Sequence, residues 1–138
     1  MRITLDTNVL ISALIVNGKS KTLLFMILRR NNELILSKEI LAEFAETSRN
    51  PKIQRYVNEE DTVRFLRNLG SIARIIRIKS KFRVVREDPD DDVILRTAHD
   101  GKAKYIVSGD RHLLELGTFR RIRIVTVDEM LRILRTDH

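Results

Sequence analysis

The 138-residue sequence contains no cysteine and no tryptophan, and its aromatic residues are limited to two tyrosines and five phenylalanines. The absence of cysteine excludes disulfides, thiol nucleophiles and cysteine-ligated zinc, and it suits a reducing compartment. The scarcity of aromatic side chains argues against base stacking as the main mode of ligand binding. The longest unbroken apolar run, residues 23–28, is too short to span a bilayer, and Asp6 interrupts any N-terminal signal peptide. We therefore expect a cytoplasmic protein without membrane association.

The overall charge is positive, with 26 Lys and Arg against 19 Asp and Glu and a formal net charge of +7. A hydrophobic fraction of 43% and this length predict one globular domain over residues 1–138. The excess positive charge favours a polyanionic partner, although a basic protein without such a partner is the alternative. The acidic residues are clustered at 87–88 and 90–92, beside the basic segment 79–86. This pattern fits a metal-dependent nuclease, in which cations attract the nucleic acid and carboxylates hold the metal.

Strand-like and helix-like segments alternate along the whole chain, which predicts an α/β fold with a central, mainly parallel sheet between two helical layers. Expected strands end at Leu5 and cover residues 33–36, 74–78, 103–107 and 122–125, with an extended piece at 82–85. The first expected helices end at Leu14, cover residues 21–30 and 38–48, and include part of 52–58. The next ones end at about Ala73, run from Pro89 to Gly101, end at Leu116, and cover residues 127–134. The helix N-caps are predicted at Ser20, Ser37, Asp61, Asp88 and Thr126, the last in a capping box.

Two aspartates follow predicted strands directly. Asp6 comes after Leu5, and Asp110 follows the strand that ends near Val107 through Ser-Gly. In open α/β sheets, ligands bind at the carboxyl ends of the strands, so both carboxylates are candidate site residues. The alternative for Asp110 is that it only caps the following turn.

A third carboxylate, Asp91, is predicted to face the sheet. The residues three, four and seven positions after it are all apolar, as in the buried stripe of a helix: Ile94, Leu95 and Ala98. The alternative is that residues 90–92 only interact favourably with the helix dipole, worth about 0.3–1 kcal/mol each. That explanation suits Asp90 and Asp92 better than an inward Asp91, because burial of an unpaired charge costs several kcal/mol.

Glu43 is a fourth candidate, since it lies nearest the buried arc of the helix 38–48, although a solvated surface glutamate is the alternative. Carboxylates from separate segments that converge at one sheet edge would repel one another without a cation. Oxygen ligands without cysteine predict a hard ion, Mg²⁺ or Mn²⁺. The three histidines show no ligand spacing and are interpreted as surface or helix-end residues: His99, His112 and His138.

Four motifs, in this order and spacing, make the sequence resemble a PIN domain, in particular the branch of VapC-like toxins. They are Leu-Asp-Thr-Asn-Val-Leu at 5–10, the glutamate within 40–44, Asp-Pro-Asp-Asp-Asp at 88–92 with Ile94 and Ala98, and the segment 105–114. The resemblance covers essentially the whole chain. It implies an α/β/α sandwich and a Mg²⁺- or Mn²⁺-dependent endoribonuclease with the acidic set Asp6, Glu43, Asp91 and Asp110.

The same resemblance implies supporting roles for Asn8 and Ser108 and makes Asp92 a secondary metal ligand. Asp92 occupies a position where this branch often has asparagine, and His112 one where relatives often have aspartate. Family members are often homodimers, and toxin members are held inactive by an antitoxin that covers the site.

The leading hypothesis is therefore an endonuclease of single-stranded or structured RNA, in which Asp6, Asp91 and Asp110 bind metal. Glu43 binds metal directly or through water and orients the attacking water. The basic segments 79–86 and 120–123 are candidates for phosphate contacts, although a solvated surface explains them nearly as well. One alternative is a non-catalytic PIN-like module that binds RNA or protein. Another is a Mg²⁺-dependent phosphatase with Asp6 as nucleophile, which is disfavoured because Asn8 stands where a second aspartate is usual.

Overall fold

A computed structural model describes residues 1–29, 31–85 and 88–136. Its strands are β1 (Arg2–Leu5), β2 (Glu33–Ser37), β3 (Arg74–Ile76), β4 (Tyr105–Val107), β5 (Thr118–Phe119) and β6 (Ile122–Val125). Its helices are α1 (Thr7–Ile15), α2 (Lys19–Arg29), α3 (Lys38–Ser48), α4 (Pro51–Gln54), α5 (Glu59–Ile72), α6 (Pro89–Asp100), α7 (Arg111–Leu116) and α8 (Val127–Thr136).

The strands form one sheet in the order β3-β2-β1-β4-β6-β5, parallel except for β5, which pairs with β6 in antiparallel fashion. Successive residues of a strand face opposite sides of a sheet, yet Ile3, Thr4 and Leu5 of the central strand are all fully buried. Helices therefore cover both faces, which confirms the predicted three-layer α/β/α sandwich. The short β5 was not predicted, because two residues are too few to show a periodicity.

The helix starts follow local capping chemistry. The Ser37 hydroxyl accepts a hydrogen bond from the Ile40 amide at 3.3 Å, and Thr126 and Glu129 form the predicted reciprocal capping box. The predicted cap at Ser20 is wrong, because Ser20 lies inside α2, which begins at Lys19. The predicted cap at Asp61 is also wrong, because Asp61 lies inside α5.

Asn58 caps α5 instead, with its side-chain oxygen 2.7 Å from the Asp61 amide nitrogen. This start places three acidic residues in the first turn, where the positive end of the helix dipole stabilises them. The C-terminal end predicted for α2, Arg30, lies outside the described residues.

Residues 79–85 form an irregular segment, here called the strap, that lies along α6. Asp92, Arg96 and Asp100 recur every four residues on one side of α6, and each binds the strap backbone. Asp92 Oδ1 accepts from two backbone amides at 2.8 and 2.9 Å, and Arg96 donates twice to one carbonyl at 2.8 and 2.6 Å. Asp100 Oδ2 accepts from two further amides at 2.7 and 2.9 Å. The strap is thus fixed to the helix whose first turn carries Asp91.

The far end of α6 is fixed to the sheet by a close approach at Gly101. A Cβ atom at this position would lie 2.3 Å from the Ile35 side chain of β2 and 3.0 Å from the Thr97 carbonyl. Since Ile35 is fully buried, neither atom has room to move away. The absence of a side chain at Gly101 therefore sets how closely α6 approaches β2.

Among the described residues, no single helix has both the length and the apolar character needed to cross a bilayer. One bent pair, α1 with α2 at 105°, meets these criteria only when the two helices are taken together.

Candidate metal centre

The candidate site lies where the central strands β1 and β4 end side by side. The Asp6 amide donates a hydrogen bond to the Val107 carbonyl at 3.0 Å, which places the residue after β1 next to the last residue of β4. The N-terminus of α6 reaches the same edge, since the charges of Asp6 and Asp110 both act on Asp91. Three of the four candidate carboxylates, Asp6, Asp91 and Asp110, therefore lie at this end of the sheet.

Asp88, Asp91 and Asp110 form the tightest group. Each offers one carboxylate oxygen, and the three oxygens lie within 4.8 Å of one another. Two of these residues were predicted site residues, whereas Asp88 was predicted as the N-cap of α6 and not as a site residue. The sequence did contain a signal for Asp88, because it belongs to the acidic cluster at 87–92 and to the motif at 88–92.

Asp91 is buried, as its inward-facing helical position predicted, and only 5% of its surface is exposed. Its Oδ2 atom is buried and has no hydrogen-bond partner among the described residues. Burial, followed by the charges of Asp110, Asp88 and Asp6, raises the pKa of Asp91 from 3.8 to about 7. A buried, unpaired carboxylate oxygen beside other carboxylates is a group that a cation would stabilise.

Asp6 and Asp110 are connected through Ser108. The Ser108 hydroxyl, fully buried, donates to Asp6 Oδ2 at 2.6 Å and accepts from the Asp110 amide at 2.9 Å. Burial raises the pKa of Asp6, an effect that the Ser108 hydrogen bond opposes and the charge of Asp110 reinforces. Ser108 therefore links both residues through its hydrogen bonds.

Glu43 reaches the site from α3 through Thr7. The Thr7 hydroxyl, on a residue only 2% exposed, donates to Glu43 Oε2 at 2.9 Å. Partial burial raises the pKa of Glu43, and the charges of Asp90, Asp6 and Asp88 act in the same direction. Glu43 is thus close enough to interact electrostatically with the aspartates, but it does not belong to the tight group of three.

Three of the aspartates also act as helix N-caps. Asp6 Oδ1 accepts from the Asn8 amide at 3.4 Å, Asp88 Oδ1 from the Asp90 amide at 3.0 Å, and Asp110 Oδ1 from the His112 amide at 2.8 Å. The capping role considered as an alternative for Asp110 thus coexists with its place in the acidic group. Because α1, α6 and α7 begin here, the positive ends of their dipoles partly offset the repulsion between the carboxylates.

Two further predicted residues contribute in different ways. Asn8 donates its backbone amide to Asp6, while its side chain is exposed at the site. Asp92 is buried rather than solvated, and its Oδ1 atom accepts the two strap amides described above. This placement differs from the dipole explanation, and it favours a role for Asp92 in anchoring the strap over one as a metal ligand.

The predicted basic segments are only partly free. The strap presents exposed side chains at Lys79, Lys81 and Arg83. In contrast, the Arg120 guanidinium lies 4.6 Å from the centre of the Phe82 ring and so packs the β5–β6 turn against the strap. His99, His112 and the basic residue Arg123 lie outside the acidic group. Three predicted residues lie outside the described part of the chain: Arg86, Glu87 and His138.

The donor set fits a hard divalent cation. All candidate ligand atoms are carboxylate oxygens that lie close together. One of the residues, Asp91, also has a buried oxygen without a hydrogen-bond partner among the described residues. Mg²⁺ is commonly bound through one or two carboxylates with water completing its shell, and Mn²⁺ accepts the same ligands. The arrangement can therefore bind such an ion and place it at an open edge of the sheet.

Comparison with known proteins places the chain in a family. Residues 2–112 match the PIN domain family. The uncharacterized protein MJ1680 of Methanocaldococcus jannaschii is 34% identical over 118 residues, which cover 84% of this chain and 75% of that protein.

The fold has a close counterpart among solved structures. The structure of VapBC2 from Rickettsia felis, bound to a DNA fragment from its promoter, superposes with a TM-score of 0.64 at 17% sequence identity. The superposition covers 91% of this chain and 98% of the matched chain. With the family match over most of the sequence and the same α/β/α architecture, the chain belongs to the PIN domain family.

Proposed function

We propose that this protein is a Mg²⁺- or Mn²⁺-dependent endoribonuclease that hydrolyses phosphodiester bonds of single-stranded RNA. The observation that carries the proposal is the group of carboxylate oxygens from Asp88, Asp91 and Asp110, which lie within 4.8 Å of one another. The Oδ2 atom of Asp91 is, in addition, buried without a hydrogen-bond partner among the described residues. Such an arrangement is unfavourable without a cation, because the carboxylates repel one another and the buried charge is costly. Membership of the PIN domain family supports the same chemistry.

Asp91 and Asp110 are the proposed principal metal ligands. Asp6, held by Ser108, and Asp88 complete the acidic set around them. A bound Mg²⁺ or Mn²⁺ would polarise a phosphoryl oxygen and lower the pKa of a coordinated water. The proposed role of Asp92 is to hold the strap, with metal binding as a secondary role.

Glu43 is proposed to orient the attacking water and to accept its proton. Its Oε2 atom accepts a hydrogen bond from the Thr7 hydroxyl at 2.9 Å, which fixes the carboxylate. The raised pKa of Glu43 makes it a better proton acceptor than an ordinary surface glutamate. Asn8, whose side chain is exposed at the edge of the site, is proposed to contact the substrate or the water shell.

An RNA substrate is supported by charge. The protein carries a net charge of +7, and the strap, which runs along α6 from Asp100 to Asp92, holds three exposed cationic side chains. If these residues contact phosphates, the logarithm of the RNA affinity should fall linearly with the logarithm of the salt concentration, by about 0.7 per phosphate contact for a single strand. A flat salt dependence would contradict the proposed phosphate contacts.

We further propose that the protein is the toxin of a toxin–antitoxin pair and acts in the cytoplasm as a homodimer. The fold shared with a VapBC structure supports this role. Expression in a bacterial host should arrest growth, and Asp91→Asn should relieve the arrest. Light scattering of the purified protein tests the dimer directly, and co-purification from the native host tests the antitoxin.

The decisive experiment is cleavage of a mixed panel of single-stranded RNAs in Mg²⁺ or Mn²⁺ by the wild type, Asp6→Asn, Asp91→Asn and Asp88→Asn. Asparagine is as good an N-cap as aspartate, so the substitutions at the caps Asp6 and Asp88 remove a charge and keep the helix start. We expect cleavage by the wild type, and loss of cleavage with Asp91→Asn, with Asp6→Asn and with chelator. A smaller decrease for Asp88→Asn would make it an accessory ligand.

Equal cleavage by the wild type and all variants would refute the site assignment and indicate a contaminating nuclease. Tight, metal-dependent RNA binding without cleavage would instead support a non-catalytic binding module. Formation of a phospho-aspartate at Asp6 would support a phosphatase.

A further inference from the structure

A cleft adjoins the acidic site on the side of α1, α2 and α8. It has a volume of about 480 Å³, which lies within the range of about 300–1,000 Å³ usual for small-ligand sites. Much of its lining is apolar, with Val9, Val16 and Val127 among the lining residues. It is here called the polar cleft after the polar side chains used below, which are Asn8, Ser12, Lys19, Ser20, Ser108 and Thr126.

The polar cleft is continuous with the proposed active site. Its wall includes Ser108, whose hydroxyl bonds to Asp6, and Asn8, whose backbone amide bonds to the same carboxylate. Ser108 is fully buried, whereas Asn8 is exposed between the acidic group and the cleft. A strand whose phosphate lies at the acidic group can therefore place a neighbouring nucleotide in the cleft, past Asn8.

The chemistry of the lining suits a base and ribose better than a phosphate. Its charged side chains, Lys19 and Asp128, neutralise one another through an ion pair of 2.8 Å. No aromatic residue lies in the lining, so recognition by base stacking is excluded there. The remaining polar groups are short hydroxyl and amide side chains, which can both donate and accept hydrogen bonds.

Several of these groups are free to bind a ligand. Ser12 and Ser20 are partly exposed, and within the described part of the chain neither hydroxyl has a hydrogen-bond partner. The Asn8 side chain is exposed, and its amide offers a donor and an acceptor side by side, which can pair with the edge of a base. The Thr126 hydroxyl differs, because it caps α8.

We propose that the polar cleft binds the base and ribose of one nucleotide next to the scissile phosphate, through hydrogen bonds, and so determines part of the sequence preference of cleavage. This inference rests on the proposed nuclease function. Ser12 is a specificity-determining residue in this assignment, because it lies inside the cleft and belongs to neither the acidic set nor its supports.

The first test is an NMR titration of the full-length protein in Mg²⁺ with each of the four nucleoside 5′-monophosphates, and with inorganic phosphate as a control. We expect the amides of Ser12, Gly18 and Thr126 to shift with at least one nucleotide and not with phosphate. Cleft amides that respond to none of the nucleotides would overturn the proposal and leave a protein segment as the occupant to test.

The second test compares Ser12→Leu, which fills the cleft, with Ser71→Leu, the same change at an exposed position of α5. We expect Ser12→Leu to raise the KM for RNA by about tenfold and to change the distribution of cut sites. Its Mn²⁺ affinity and its hydrolysis of a small diester without a nucleotide should equal those of Ser71→Leu. Ser20→Gln serves as a second cleft variant if Ser12→Leu lowers the melting temperature.

The outcomes separate the two proposals. Wild-type protein that hydrolyses neither RNA nor the small diester would refute the nuclease, while the NMR titration would still decide whether the cleft binds nucleotides. Active protein in which the Ser12 and Ser20 variants cut the same sites as Ser71→Leu, with unchanged KM, would refute the cleft assignment alone.

Discussion

The stability of the metal-free protein should depend on the charge of the buried Asp91 carboxylate. Asp91 lies in the first turn of α6, is 5% exposed, and has an oxygen without a hydrogen-bond partner among the described residues. Replacement by asparagine keeps the size of the side chain and removes the charge. In metal-free protein, Asp91→Asn should therefore be more stable than the wild type while losing nuclease activity.

The pH dependence follows from the raised pKa. Burial and the neighbouring carboxylates raise the pKa of Asp91 from 3.8 to about 7. Between these values the folded protein retains a proton that the unfolded chain has lost, so the free energy of unfolding falls as the pH rises. The destabilisation of the folded protein by ionised Asp91 is absent below about pH 4 and complete above about pH 7. Asp6 and Glu43, whose pKa values burial also raises, act in the same direction.

The magnitude is set by the difference between the two pKa values. At about 1.4 kcal/mol per pKa unit, the full difference for Asp91 corresponds to about 4 kcal/mol. The site lies at an open edge of the sheet, where solvent screening reduces this to about 2 kcal/mol. For a domain of this size, about 2 kcal/mol corresponds to an increase in Tm of about 5–8 °C.

The assay is thermal unfolding in chelator from pH 4 to pH 8. We expect the Tm of Asp91→Asn to exceed that of the wild type at pH 8 and to approach it near pH 4. Saturating Mn²⁺ should stabilise the wild type, by about 2.7 kcal/mol at a hundredfold excess over its Kd, and should have little effect on the variant. Asp90→Asn, an exposed position in the same helical turn, is the matched control and should be destabilised by less than about 1 kcal/mol.

A wild type and an Asp91→Asn variant with the same Tm at pH 8 in chelator would refute this reasoning, because the buried charge would then carry no penalty. An equal response of both proteins to Mn²⁺ would show that the ion binds elsewhere.

Three further predictions concern residues that position the site. Ser108→Ala should lower the free energy of unfolding by about 1–3 kcal/mol and reduce kcat, because it leaves Asp6 Oδ2 and a backbone amide without their partner; unchanged kcat in the folded variant would contradict this role. Thr7→Val should reduce kcat, because it removes the hydroxyl that donates to Glu43 at 2.9 Å. Thr7→Ser keeps this hydroxyl and should keep the wild-type kcat. A reduced kcat in the serine variant would assign the loss to packing. Gly101→Ala should lower the free energy of unfolding, measured by chemical denaturation, by more than about 2 kcal/mol, since its Cβ would meet a buried strand side chain at 2.3 Å. The Mn²⁺ affinity per folded molecule should stay the same. A decrease below about 0.5 kcal/mol would show that α6 can shift.

Local patterns in the sequence were sufficient for much of the architecture. The alternation of apolar strands and amphipathic helices predicted the three layers, and the predicted caps at Ser37, Asp88 and Thr126 are confirmed. These features depend on contacts between residues at most four positions apart, which a sequence displays directly. The caps at Ser20 and Asp61 were wrong because several polar residues adjoin each helix start, and the choice between them depends on where the preceding chain enters.

The inward position of Asp91 was also predictable, because the apolar residues that follow it fix which side of α6 faces the sheet. In the same way, Asp6 and Asp110 follow strands directly, so a parallel sheet was expected to bring them to one edge. Local patterns in the sequence were therefore sufficient to place Asp6, Asp91 and Asp110 at that edge, since helical and strand periodicity assign each side chain to a side of its own element.

Only the tertiary structure decided how those carboxylates divide their roles. The order of the strands sets β4 beside β1, so that Ser108 bonds to Asp6 across 102 residues of sequence. The packing of α3 brings Glu43 to Thr7, and the strap occupies Asp92, while Asp88 joins Asp91 and Asp110. Distances between elements depend on packing angles and on close approaches such as that at Gly101, and these are properties of the assembled core that no local periodicity encodes.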